Sequence, residues 1–178
     1  MKKIYIPILL LIALSSCKKD DPDIPNEEEL ITTLIYRLEP LGAGDMVELK
    51  FQDLDGDGGI APVITTAPLQ ANTTYQGSII LLNELKTPAV DISAEVEAEG
   101  QAHQLFYILD ALKLEVEYMD SDLDGNPLGL ITSLSTGDPT STTLNIVLRH
   151  EPQKPNNGTP DDAGGETDIE VIFDITIE

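Results

Sequence analysis

The last eleven residues of the chain, DIEVIFDITIE, place Ile169, Val171, Phe173, Ile175 and Ile177 on one face and Asp168, Glu170, Asp174 and Thr176 on the other. A period of two puts alternate side chains on opposite sides of an extended backbone, so this pattern predicts a half-buried antiparallel strand. The same alternation runs through Val47, Leu49 and Phe51, through Leu114, Val116 and Tyr118, and through Leu144, Ile146 and Leu148. LITTLIYRLE, TYQGSIILL and HQLFYIL read as further strands, and turn residues separate them, including the pair Asn157-Gly158. One segment departs from the pattern. DISAEVEAEG, Asp91 to Gly100, is rich in helix formers, with Asp91 as N-cap, Ile92 and Val96 one turn apart, and Gly100 as a stop. The expectation is a mostly all-β chain: an antiparallel β-sandwich of seven to eight strands with at most one short helix, forming a single domain over residues 30–178. About 150 residues are enough to bury one real core. Tyr36, Phe51, Tyr75, Phe106, Tyr107, Tyr118 and Phe173 all fall in these strands, but Phe106 and Tyr107 are sequence neighbours and cannot both point inward.

Part of the chain repeats. VELKFQDLDGDGG from Val47 and LEVEYMDSDLDGN from Leu114 align without a gap at an offset of 67 residues, and the same offset lays VITT at Val63 on LITS at Leu130. A slightly larger offset matches NTTY at Asn72 to STTL at Ser141. The matches imply an internal duplication of a hairpin whose tip is an aspartate loop, each copy followed by a further strand.

Those tips carry the chemistry. In each, three aspartates alternate and glycine follows the third: Asp53, Asp55 and Asp57 with Gly58, then Asp120, Asp122 and Asp124 with Gly125 and Asn126. Calcium takes about six to eight oxygen ligands, and an EF-hand loop needs a bidentate glutamate at its twelfth position. Ile64 and Ile131 stand at that place, and Pro62 blocks an exit helix, so neither loop is an EF-hand. What remains is an open half-site in each loop, which Ca2+ would relieve of its mutual carboxylate repulsion. The alternative is that Asp-Gly pairs serve as turn chemistry.

The first seventeen residues, MKKIYIPILLLIALSSC, join two lysines, an apolar run and Leu14-Ser15-Ser16-Cys17. That is a secretory signal, too short to span a membrane. Its end resembles the lipobox of bacterial lipoproteins, which implies cleavage after residue 16, a signal peptide over 1–16 and a covalent lipid on Cys17. Residues 17–29 then form an acidic tether, and KKDD after the cysteine resembles the export signal of outer-membrane lipoproteins that face the cell surface; the periplasmic face is the alternative. Cys17 is the only cysteine, so a lipidated chain has no thiol for disulfides, zinc or nucleophilic attack. Without Lys2 and Lys3 the chain carries 8 basic against 32 acidic residues, and such a charge repels nucleic acid.

Other chemistry has thinner support. His103 and His150 sit beside strands and, with Glu151, could bind a transition metal if those strands were adjacent. No HxH or HxxxH pair exists, so a structural or solvent-facing role is expected. There is no GxSxG, HExxH or phosphate loop, so no enzyme is expected, although the carboxylate pair of a glycan hydrolase is defined in space and not in sequence.

VELKFQDLDGDGG, HQLFY, LRHEPQKP and AGGETDIEVIFDI resemble a group of small lipoproteins from Bacteroidota, over Glu29 to the end. Members often carry the label "type 1 periplasmic binding fold superfamily protein", which implies paired α/β lobes, whereas the period-two strands here imply a sandwich. The functional expectation is a lipid-anchored outer-membrane protein acting as a calcium-stabilised binding or adhesion module. The alternative, implied by the resemblance, is a capture lipoprotein that passes a small ligand or metal ion to an outer-membrane transporter.

Overall fold

Strands with one apolar face must pair edge to edge and bury that face against a second sheet. A computed structural model describes residues 30–56, 59–110 and 112–178; the signal, Cys17, the tether, Asp57, Gly58 and Ala111 lie outside them. Among the described residues the strands are β1 (Thr33–Pro40), β2 (Val47–Gln52), β3 (Val63–Thr65), β4 (Thr74–Asn83), β5 (Val90–Asp91), β6 (His103–Leu109), β7 (Leu114–Tyr118), β8 (Ile131–Thr136), β9 (Thr140–His150) and β10 (Glu166–Ile177). All pair antiparallel, in a seven-stranded sheet ordered β3-β2-β1-β4-β8-β7 with β5 added to β4, and a three-stranded sheet ordered β10-β9-β6.

The chain is an antiparallel β-sandwich, as the alternation implies. Leu34, Tyr36 and Leu38 of β1 share one core with Leu144, Ile146 and Leu148 of β9 and with Val171, Phe173 and Ile175 of β10. The segment after β3 closes the far side, because Leu69 forms a parallel bridge with Ile177.

Two counts differ from the expectation. Among the described residues there are ten strands, since the three-residue β3 and two-residue β5 are too short to show periodicity. The same residues form two short α-helices instead of at most one. The first, α1 (Ile92–Ala98), follows the sequence signals: the Asp91 carboxylate caps Ser93 N, and Ile92 and Val96 are buried. The second, α2 (Pro160–Ala163), starts from Thr159 as N-cap with proline in its first turn. Its Ala163 lies with Phe106 and Val147 in a small cluster apart from the main core. Phe106 therefore points to the outer face of the small sheet, under the 151–165 segment, while Tyr107 faces the main core.

The duplicated hairpin is present twice, as β2–β3 and β7–β8. No two-fold axis relates the copies. Four antiparallel steps separate β2 from β7, so the two strands run in the same direction, and laying β2 on β7 and β3 on β8 moves each four positions across the sheet. The relation is a lateral translation. The pairing has also slipped by one residue, for Phe51 faces Ile64 whereas its counterpart Tyr118 faces Thr132. The third sequence match ends in different sheets, NTTY leading into β4 and STTL lying in β9.

Candidate functional site

Because β2 and β7 are codirectional, both aspartate loops leave the large sheet at the same end. Asp53 N donates to Thr32 O at 2.8 Å, which fixes the first loop beside the start of β1. Four strand spacings of about 4.8 Å separate the loops by roughly 19 Å, too far for one shared ion.

Within the second loop each carboxylate has a separate task. Asp120 accepts from Gly129 N at 2.7 Å and from Ile131 N at 2.9 Å, tying the loop to its own return strand. Asp122 Oδ1 accepts from Asp124 N and Asn126 N, both at 2.9 Å, and builds the turn. Its Oδ2 lies 3.1 Å from Lys154 Nζ, in a pair whose side chains are 6% and 1% exposed for Lys154 and Asp122. Lys154 Nζ also donates to Gly100 O at 2.7 Å and His103 O at 2.6 Å. Asp124 accepts from Gln101 Nε2 at 2.6 Å. Burial works against the Asp122 charge, but the hydrogen bonds from Asn126 and the Lys154 ammonium outweigh it and hold the carboxyl below its ordinary value. Asp120, Asp122 and Asp124 thus face different partners, and Asn126 serves Asp122.

The first loop is looser. Asp53 Oδ1 accepts from Asp55 N and Asp55 Oδ2 from Ile60 N, each at 3.2 Å, and both residues form no ion pair among the described residues. Asp57, the third acid predicted there, lies outside the described residues.

The two histidines are brought together. His103 and His150 are direct partners across β6 and β9, and both are buried, which rules out the solvent-facing half of the expectation. The acid beside them is Asp168, not Glu151, which is exposed. In sequence, Asp168 reads as an outward residue of an alternating strand, and a bulge between Thr167 and Ile169 breaks that alternation.

The fold and these loops define an antiparallel β-sandwich with an acidic loop end. Comparison with protein-family models, curated proteins and solved structures returns no match. The resemblance to Bacteroidota lipoproteins therefore rests on the quoted motifs alone. No helix among the described residues is long and apolar enough to cross a membrane.

Proposed function

We propose that this chain is a lipid-anchored envelope protein, held through Cys17 in the outer membrane and turned to the cell surface, that acts as a calcium-stabilised binding or adhesion module. One observation carries the reading: two loops built on the same sequence pattern differ in their source of positive charge. The second loop receives the ammonium of Lys154 from its own chain. The first has Asp53 half-buried and Asp55 exposed, with no basic side chain paired to them among the described residues. A hard divalent cation supplies that charge, with waters and backbone carbonyls completing an oxygen shell. Calcium thus belongs to the first loop, and the second is its internally closed counterpart.

Thermal unfolding with calcium and with chelator tests the reading. A native-state site at free calcium of about 100 times its dissociation constant adds about 2.7 kcal/mol. Asp55→Asn should abolish the rise in melting temperature and Asp124→Asn should leave it. An unchanged melting temperature in the wild-type chain would sink the calcium assignment.

The second reading, capture of a small ligand for a transporter, draws on a different feature. A hollow of about 420 Å³ on the outer face of the large sheet is lined by Leu41, Tyr75, Gln76, Glu117, Met119 and Ile131 among others. Leu41 and Met119 are 69% and 62% exposed there, an apolar rim over a polar floor. A saturable small molecule in native mass spectra, lost on Met119→Glu, would favour capture over adhesion.

A further inference from the structure

His103 opens β6, His150 closes β9, and their rings stand perpendicular with centroids 4.6 Å apart. Asp168 reaches them from β10. The strand's alternation would send its side chain to the outer face, opposite Ile169, but the bulge re-aims it and leaves the side chain 0% exposed. One donor atom from each residue lies within 4.8 Å of the others, the only such gathering of three among the described residues.

The orientation of His103 is fixed from behind. Its Nδ1 lies 3.2 Å from Glu99 O, which can only accept, so Nδ1 carries the proton and the neutral ring presents a lone pair at Nε2. That Nε2 makes no hydrogen bond and stands 3.9 Å from Asp168 Oδ2. A cation seated between that lone pair and the Asp168 carboxylate would bond to both. Handing the second ring N–H to a backbone carbonyl is also how ligating histidines are held in metal sites.

We propose that His103, His150 and Asp168 bind one divalent first-row transition-metal ion, with zinc as the natural occupant. Two imidazoles and one carboxylate suit that class, whereas calcium wants an all-oxygen shell. Zinc bonds of about 2.0–2.1 Å put tetrahedral donors roughly 3.3 Å apart, so small side-chain rotations draw the three residues inward on binding. The fourth position falls to a water or a backbone oxygen. The Lys154 ammonium touches the His103 carbonyl and opposes a nearby cation, but Asp122 neutralises it.

This site is separate from the calcium loop in place and in ligand chemistry, and one set of samples tests both. The full chain in detergent is incubated with zinc chloride, desalted and assayed by elemental mass spectrometry. One zinc per chain is expected, unaffected by calcium or by Asp55→Asn. Asp168→Asn and His150→Asn should weaken retention by at least about tenfold while any calcium-dependent rise in melting temperature persists. Wild-type chain that retains no zinc, or folded variants that retain it as well as wild type, would overturn the proposal. Should the variants fail to fold, cobalt-loaded wild type decides: intense visible absorption of a four-coordinate site supports the assignment, and the weak spectrum of six-coordinate cobalt refutes it.

Discussion

The phenol oxygen of Tyr36 and the hydroxyl oxygen of Thr132 lie 2.7 Å apart, a buried hydrogen bond that joins β1 to β8 across the intervening β4. It can form because Gly77 occupies β4 between them: a Cβ there would stand 2.6 Å from the Tyr36 ring and strike Thr132 Oγ1. The residue's missing side chain is what lets three strands share one contact.

Gly77→Ala should therefore destabilise the domain by about 1–3 kcal/mol through overpacking. Tyr36→Phe keeps the ring and loses the bond, which should cost about 0.5–1.5 kcal/mol, with more if Thr132 is left unsatisfied. Urea unfolding of both variants measures the difference, and a Gly77→Ala chain as stable as wild type would show that β1 and β8 can part cheaply.

Lys154 ties Gly100, His103 and Asp122 together from a loop, so its replacement strips one buried carboxylate of its counter-charge. Lys154→Met should cost about 3–5 kcal/mol. The double variant with Asp122→Asn should be more stable than Lys154→Met alone, because no buried charge is then orphaned. Denaturant midpoints of the single and double variants provide the cycle.

The same pair sets a pH dependence. The folded-state pKa of Asp122 lies below its unfolded value, so its contribution is fully present above the ordinary carboxylate range and is lost as pH falls through the folded value. Stability should drop on acidification below about pH 4, and Asp122→Asn should flatten part of that acid limb. An identical limb in the variant, followed by circular dichroism, would remove Asp122 from the account.

At the start of α1, Asp91 accepts from Ser93 N at 3.0 Å, and Ser93 Oγ accepts from Leu81 N at 2.6 Å, filling a gap in the β4 ladder. Asp91→Ala should cost about 1 kcal/mol. Ser93→Ala orphans a strand amide and should cost about 1–3 kcal/mol. Hydrogen exchange at Leu81 should accelerate only in the second variant.

Local patterns carried most of the architecture into the sequence. β6 covers His103–Leu109 as HQLFYIL implies, and α1 sits between the Asp91 cap and the Gly100 stop. The same patterns are blind to what is assembled through space. Lys154 stands in a loop with no periodicity, and nothing near it in sequence marks its ion pair with Asp122, 32 residues away. Asp168 is hidden for the opposite reason: perfect alternation in the sequence conceals a bulge in the strand. The helix α2 was not expected, because four residues leave too short an apolar face to separate a helix from a turn. The duplication was visible as identity of residues, whereas translation, as opposed to rotation, depends on which strands come to lie between the copies.

That translation has an electrical consequence. A rotation that reversed the strands would have sent one acidic loop to each pole and cancelled their moments, but codirectional copies add, and Glu84, Asp91 and Glu97 lie toward the same end. Both aspartate loops therefore gather their charge at the end of the large sheet where β1 begins. Under the anchored reading proposed above, an anionic bilayer and these two loops repel each other, which favours turning the opposite end, with its connections over 41–46 and 137–139, outward.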